Sequence, residues 1–519
     1  MKLNYKRTVL VGFAFFLICL FWQVYDNIIP KILTDKFGLS QFWSGVVMAL
    51  DNILAIFLLP LFGTISDKHK GKRGKRTPFI LIGTLVAVIA FVSLSFADNM
   101  QLTKIADVSS AVSYDNAETV DSSILAEREE ALKVLYNADT KINVTGSSEK
   151  LALNEVFDSE EAFITAMNDP EAFAEYAVPA RQAYAWQMTC NNPVTLIFFM
   201  IILLVVLVSM ATFRSPAVAL MPDVTPKPLR SKANAIINLM GALGGILVLV
   251  LGIVFGTGKA ENIFMNYTTF FIVNAVIILI ALAVFMFTVK EPKWAKEAED
   301  AYPDTSTDDE ITVAGGKLSK AEFKSLIFIL LSVIFWYMGY NAVTSKYSVY
   351  AGNVLELDFN LTLIVAQAAA IISYLPVGII SQKVGRKKTI IAGVVMLGAA
   401  FTAASFMRAG SNVWVMNGLF ALAGIGWATI NVNSYPMVVE LAKSGDVGKF
   451  TGFYYTASMA AQIVTPMLSG IFLDTIGMTT LFPYASIFVA LALITMLFVK
   501  HGDNLSIENA KNEPVGADN

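Results

Sequence analysis

Gly63-Thr-Ile-Ser66-Asp67-Lys-His-Lys-Gly-Lys-Arg73-Gly74-Lys-Arg76-Thr-Pro78-Phe79 closes the second long apolar segment of this chain, and Gly378-Ile-Ile-Ser381-Gln382-Lys383-Val-Gly385-Arg386-Lys387-Lys388 closes the eighth. Both stretches start Gly-x-x-Ser and carry a basic run after it, and they stand 315 residues apart. A second pair keeps nearly that offset, 314: Phe21-Trp22-x-x-x-Asp26-Asn27 in the first apolar segment and Phe335-Trp336-x-x-x-Tyr340-Asn341 in the seventh. Asp223 and Glu440, at the inner ends of the fourth and tenth segments, stand 217 apart, which is the same offset shortened by an insertion in the first half. Three landmarks in register describe a tandem repeat, two six-helix halves of parallel topology.

Working outward, the chain of 519 residues is 55% hydrophobic and only 15% charged, where a soluble chain carries about 25% charge. Twelve apolar runs are readable, near 8–30, 40–62, 79–97, 194–220, 233–256, 267–289, 324–346, 360–381, 389–407, 412–436, 450–472 and 479–499. Each approaches the ~20 residues that cross a hydrocarbon core about 30 Å thick. The expected fold is an all-α membrane protein of twelve transmembrane helices in two pseudo-symmetric halves, with a helical external insertion. Its parts are 1–97 (helices 1–3), 98–192 (the insertion), 193–289 (helices 4–6), 290–323 (a cytoplasmic linker), 324–499 (helices 7–12) and 500–519 (a disordered tail).

With the termini in the cytoplasm, 26 Lys and Arg face inward and 11 outward, six of the latter within the insertion. Cationic loops stay inside, so a multi-pass protein of the cell membrane with both termini cytoplasmic is expected. The first apolar run lacks a small-residue cleavage site and reads as an uncleaved anchor. The basic loop 68–76 resembles a nucleic-acid patch, but between two membrane helices it serves topology and lipid headgroups. No nucleic-acid partner is expected, and the reading is of a monomer in a bilayer.

The insertion carries 17 acidic and 6 basic residues and is Ala/Glu-rich. Asp169-Pro170-Glu171 offers an N-cap, a first-turn proline and a first-turn acid. A small helical cap outside the bundle is expected, one whose replacement by a short linker leaves uptake measurable. Asn143-Val-Thr145 matches a glycosylation sequon.

Chemistry classes narrow quickly. Cys19 and Cys190 stand at different depths, and the two His, His69 and His501, lie at cytoplasmic helix ends. This excludes a disulfide framework, a metal cluster and an intramembrane His site. Gly258-Lys259 and Gly316-Lys317 lack the preceding Gly of a phosphate loop. No nucleophile–base–metal set points to an enzyme, and no cofactor is called for beyond a co-transported H⁺ or Na⁺.

The deep charges are few. Asp51 sits at the middle of helix 2, where an ionised Asp costs roughly 2.5–3.5 kcal/mol. Asp26 lies in the outer half of helix 1 and Arg214 in helix 4. Asp26 and Asp51 are the candidates for cation coupling, since a buried carboxylate binds a proton or gives oxygens to Na⁺. Arg214 either bonds substrate hydroxyls or neutralises a carboxylate. The plainer reading is an Asp–Arg pair that only locks helices. Around them stand polar and aromatic residues, several at four-residue spacing and hence on shared faces: Trp22 with Asp26, Asn234 with Asn238, Trp336 with Tyr340 and Trp427 with Asn431, joined by Asn27, Asn341, Tyr455, Ser458 and Gln462. Amides match sugar hydroxyls and aromatic faces pack on pyranose C–H faces, so these are the candidate substrate residues. Interfacial belts and helix-gluing amides explain the same residue types without a substrate. The candidate cytoplasmic gate is Gly63, Asp67, Arg73, Arg76 and Asp223 in the first half, and Gly378, Arg386 and Glu440 in the second. Gly241-x-x-x-Gly245 reads as a close helix-packing face.

The Gly63–Phe79 stretch resembles the loop signature of the major facilitator transporters. Its long form, Gly74-Lys-Arg76-Thr-Pro78-Phe79, is similar to that of the glycoside–pentoside–hexuronide:cation symporters and the related sucrose:proton symporters. Arg214-Ser-Pro216-Ala-Val-Ala219-Leu220-Met-Pro-Asp223-Val-Thr225, followed by Arg230-Ser-Lys-Ala233-Asn234-Ala235, resembles the sucrose carriers' helix 4–5 signature. The resemblance implies alternating-access symport of a di- or oligosaccharide or glycoside with H⁺ or Na⁺. Three positions depart from the family pattern. Val218 stands where plant sucrose carriers have Arg, Leu207 where they have a mid-helix Asp, and Gln382 replaces the second-half acid. The coupling acid is then assigned to Asp51 or Asp26. An anionic sugar such as a hexuronide, held by Arg214, and a non-transporting sugar sensor are the alternatives.

Overall fold

The structure is a computed structural model, and it describes residues 3–114, 120–144, 149–226, 229–301, 318–441 and 447–502. Among them are twelve helices long and apolar enough to cross a membrane. They are helix 1 (Tyr5–Lys36), helix 2 (Gln41–Lys68), helix 3 (Thr77–Val108), helix 4 (Val194–Asp223), helix 5 (Ile236–Phe255) and helix 6 (Thr268–Thr288). Helix 7 (Lys320–Leu355), helix 8 (Phe359–Ser381), helix 9 (Arg386–Ala404), helix 10 (Val413–Val438), helix 11 (Gly452–Thr475) and helix 12 (Met478–Leu497) follow. The chain folds as two compact units. The first comprises Met1–Thr305 with Ser345–Leu361 and Arg408–Ser411, and the second comprises Ser306–Thr344, Thr362–Met407 and Asn412–Asn519.

In the first unit the helix starts follow from local chemistry. The Asn4 side chain accepts from Arg7 N, and Ser40 Oγ accepts from Trp43 N at 3.3 Å. Both satisfy a first-turn N–H that the helix itself leaves unpaired. Small residues set helix separations. A Cβ on Gly241 would meet Cys19 Sγ at 2.8 Å, and one on Gly244 would meet Phe16 O at 2.6 Å, so helices 1 and 5 approach through a glycine face.

The insertion is more than a set of helices. It holds Ser122–Asn137, Glu160–Ala166 and Val178–Asn191 as α-helices. It also carries an antiparallel strand pair, Lys141–Asn143 with Lys150–Ala152, which the Ala/Glu-rich composition hides. Asp169 caps as expected, its carboxylate accepting from Ala172 N at 3.0 Å. Thr145 of the sequon lies outside the described residues.

Nor does the insertion stand apart from the bundle. Helix 3 is α-helical to Leu102 and continues as a 3-10 segment kinked at Ile105 to Val108, ten residues beyond the boundary expected at 98. The insertion's apolar core of Leu132, Leu135, Phe163 and Phe173 continues into Ile263 and Phe264, between helices 5 and 6. Gln182 Nε2 donates to Leu39 O at 2.6 Å, and Thr189 Oγ1 donates to Phe37 O at 2.9 Å. The insertion thus packs on the helices it joins rather than standing clear of them.

In the second unit helix 10 starts on Asn412, whose side chain accepts from Trp414 N at 2.9 Å. Helices 9 and 10 cross where Gly393 and Gly426 face each other, a Cβ on either lying 2.8 Å from the other's carbonyl oxygen. The region read as a linker begins as a helix, Glu291–Ala301, and helix 7 starts at Lys320. Residues 302–317 and the tail from 503 lie outside the described residues.

Candidate functional site

Three groups of residues stand out, two at membrane depth and one at the basic-loop ends. In the first unit, helix 1 presents Trp22 and Asp26 one turn apart, with Asp26 exposed and Tyr25 buried beside it. The Arg214 guanidinium carbon lies 5.2 Å from the centre of the Trp22 ring, a cation–π arrangement. Asp51, Asp26 and the Cys19 thiol are within its electrostatic reach. Among the described residues Arg214 makes no direct ion pair, so neither carboxylate locks it. Asp51 accepts from its neighbour Asn52 Nδ2 at 2.8 Å. Two acids and one cation are thus grouped in helices 1, 2 and 4, and it is Arg76 that pairs with Asp67 and Asp223.

Asn27 is buried, and its amide donates to Gln23 O at 2.7 Å within its own helix. Asn234 and Asn238 of the helix preceding and entering helix 5 are exposed, with Asn238 Nδ2 bonded to Asn234 O at 2.9 Å.

In the second unit the Tyr340 and Trp427 rings lie parallel, their centres 3.6 Å apart and their planes within 1°. Tyr337 meets the same indole edge-on at 5.2 Å. Tyr454 shares a hydrogen bond of 2.9 Å with Ser434, and the Tyr435 ring lies 5.5 Å from Tyr454 and 6.0 Å from Tyr455. Asn341 Nδ2 is buried without a partner among the described residues. Asn431 is half-buried, Tyr455 exposed, and Gln462 Nε2 donates to Ser458 O at 3.3 Å. No Asp, Glu, Lys or Arg occurs in 325–345, 413–439 or 452–473. The first unit's cluster is charged, and the second unit's is neutral and aromatic.

Trp336 departs from expectation. It is 0% exposed, a core residue rather than one presenting a ring face. In the first half the buried member of the Phe-Trp pair is Phe21, packed 4.6 Å from Phe91, and Trp22 faces Arg214. In the second half the roles exchange. Phe335 is half-buried and Trp336 buried, the reverse of Phe21 and Trp22. Tyr337, half-buried against the Trp427 indole, is a residue that strict repeat matching passes over.

At the basic-loop end of the first unit, Arg76 Nε donates to Asp223 Oδ2 at 2.8 Å. The same guanidinium pairs with Asp67 and with Ser66 Oγ. Burial alone would lower the Arg76 pKa, but its bonds and charges from Asp223 and Asp67 outweigh this and raise it. Gly63 offers its carbonyl to Arg76 at 3.5 Å, and a Cβ there would meet Ser215 Oγ at 2.9 Å.

Sequence reading missed the member that holds this arrangement. Glu291, buried at 3% exposure, accepts from Lys75 N at 2.6 Å, Arg76 N at 2.9 Å and Thr77 N at 2.8 Å. Its other contact is Thr77 Oγ1 at 2.7 Å. It sits in what reads as linker, and only the pairing of Glu291-Pro292 with a helix start marks it. Arg73, by contrast, is exposed. In the second unit Arg386 pairs with Glu440. Among the described residues Gly378 has no neighbour within 4 Å of where a Cβ would stand.

No group of three or more His, Cys, Asp or Glu that could hold a metal occurs among the described residues. The chain also matches no curated protein. A family model described as Major Facilitator Superfamily matches residues 183–373 and 357–515, and one described as MFS/sugar transport protein matches residues 10–114. Among solved structures, the inward-open xylose transporter XylE from E. coli aligns with a TM-score of 0.58 at 13% identity, over 97% of this chain and 98% of that one. A POT family transporter in complex with 5-aminolevulinic acid aligns with a TM-score of 0.59 at 9% identity, over 95% and 96%. The nucleoside transporter NupG aligns with a TM-score of 0.54 at 12% identity, over 96% and 100%. At such identities these likenesses show the fold alone, and it is the family models that make the chain a transporter rather than an enzyme. The chain is a multi-pass membrane protein that belongs to the Major Facilitator Superfamily.

Proposed function

We propose that this transporter is a cation-coupled symporter for a neutral di- or oligosaccharide or glycoside, with both termini in the cytoplasm. The observation that carries the reading is the division of chemistry between units. Asp26 and Asp51 stand with Arg214 in the first, while the Tyr340–Trp427 stack heads an uncharged cluster in the second. A proton or Na⁺ on Asp51 or Asp26 neutralises a carboxylate carried midway along a membrane helix. Aromatic faces with amides beside them suit a pyranose ring, and the family model for residues 10–114 carries sugar transport in its description. Coupling follows if the unloaded carboxylates hold the carrier in one state and cation loading permits the rocking of alternating access. The gate residues Arg76, Asp67 and Asp223, with Arg386 and Glu440 in the other half, would break and re-form in each cycle.

A hexuronide is the second reading, because the Arg214 guanidinium lies on a π face and makes no ion pair among the described residues. The test is uptake into proteoliposomes under H⁺ or Na⁺ gradients, with neutral and acidic sugars in competition. Arg214→Lys keeps the charge and loses the planar fork. Under the neutral-sugar reading it raises the apparent KM for neutral sugars. Preferential loss of acidic-sugar uptake favours the hexuronide, and binding without uptake of any sugar would contradict symport.

A further inference from the structure

Helix 1 and helix 7, the first helices of the two halves, both end in a π-helical turn. The turns are Ile32–Lys36 and Ala351–Leu355. A π turn holds one extra residue and swings the side chains that follow onto a new face, and such turns concentrate at functional positions. Asp35 lies in the first and Asn353 in the second. Both belong to the first compact unit, because the end of helix 7, Ser345–Leu361, packs there.

Asn353 Nδ2 donates to Asp35 Oδ1 at 3.1 Å, and Asn353 Oδ1 accepts from Arg181 Nη2 of the insertion at 3.4 Å. The partners dictate the amide's orientation, since a carboxylate only accepts and a guanidinium only donates. Asp35, Asn353 and Arg181 are all buried. The insertion helix that bears Arg181 is anchored on helix 1 through the Gln182–Leu39 and Thr189–Phe37 bonds. Arg181 is steadied further by a bond to Ala111 O at 2.8 Å and by the rings of Phe173 and Phe264. Helix 1 and the insertion therefore form a fixed seat, and the end of helix 7 is the piece docked in it.

We infer that the insertion is a working part of the transport cycle, with Arg181 a positioning residue that latches the end of helix 7 through Asn353. The latch is a neutral amide held between opposite charges. Asp35 keeps one oxygen, Oδ2, unbonded in the docked state. Arg181 feels the charges of Asp35 and Glu356 across the site, and burial lowers its pKa to about 10, leaving it cationic at neutral pH. When helix 7 moves away in alternating access, Asp35 and Arg181 close on each other as an ion pair, so neither charge is stranded. Both the docked and the released state are then satisfied, which is what a two-state element requires. Lys31, bonded to Thr257 O at 2.7 Å, stands near Asp35 and keeps the site from becoming anionic.

The inference rests on the transporter reading only for alternating access, and its test needs no substrate. Amide hydrogen exchange is measured on the full chain in lipid nanodiscs, following peptides from 345–361 and, as an internal control, from 122–137 in the insertion. Asn353→Ala is expected to speed exchange in 345–361 by about tenfold, the worth of one charge-assisted bond, with 122–137 unchanged. Arg181→Ala should act on the same segment, and Arg181→Lys should recover part of the protection. If Arg181→Ala also melts 122–137, Asn353→Ala alone decides. Unchanged exchange in 345–361 for Asn353→Ala would overturn the latch.

Discussion

Arg76 and Asp223 meet through Nε and Oδ2 at 2.8 Å, joining the start of helix 3 to the end of helix 4. Because Asp67 and Ser66 share the guanidinium, one fork ties three helix ends. A lysine cannot reproduce that fork. Arg76→Lys is expected to reduce turnover about tenfold at saturating substrate with little change in binding, read from initial uptake rates beside equilibrium binding. The sign of the pH effect follows from the raised Arg76 pKa. Its stabilising contribution is fully present below the ordinary arginine value and is lost only as pH rises through the folded value. Between about pH 5 and 9 the gate's cation does not titrate.

Gly74 and Glu291 make a second, steric prediction. Gly74 has φ +109°, and a Cβ there would lie 2.3 Å from the Glu291 carboxyl carbon. Gly74→Ala must displace the carboxylate that holds Lys75, Arg76 and Thr77. The expected cost is about 2–4 kcal/mol, backbone strain plus lost charge-assisted bonds. Glu291→Gln, which keeps the shape, should cost less. Thermal melting of the two variants in one detergent checks the order.

The insertion supplies a third. Replacing 100–190 by a Gly/Ser linker would uncover Ile263 and Phe264 and leave the Phe37 and Leu39 carbonyls without their partners. A fall in melting temperature of about 10 °C or more is expected. An unchanged melting curve would restore the insertion to a mere appendage.

A fourth concerns the aromatic cluster. Tyr340→Ala removes the ring stacked on Trp427 and should weaken sugar binding about tenfold or more. Tyr340→Phe should retain most of it. Trp336→Phe, in the core, should alter melting more than affinity. Isothermal titration beside melting separates the two roles.

What was readable in the chain follows from physical scale. Twelve apolar runs and three repeat landmarks report on the bilayer and on gene-level duplication, both of which act over tens of residues, so the fold was legible. Asp51 and Arg214 were legible because charge in hydrocarbon is costly enough to need a reason. The exchange between Trp22 and Trp336 was not, since the same Phe-Trp motif stands in both halves and only tertiary packing decides which ring is buried. Glu291 was hidden because an acid in an acidic stretch carries no local signal of the three N–H groups it accepts from. Arg181 was hidden likewise: its partners lie at 111 and 353, and nothing near it in sequence marks burial.

Coupling at Asp51 is the central claim, and concentrative uptake tests it most directly. Proteoliposomes bearing the native chain or Asp51→Asn are supplied with a labelled neutral glycoside under an imposed H⁺ or Na⁺ gradient. The native chain should accumulate the sugar above its external concentration under one of the two gradients. Asp51→Asn should equilibrate the sugar or exchange it but not accumulate it. Accumulation by Asp51→Asn equal to that of the native chain would contradict the assignment.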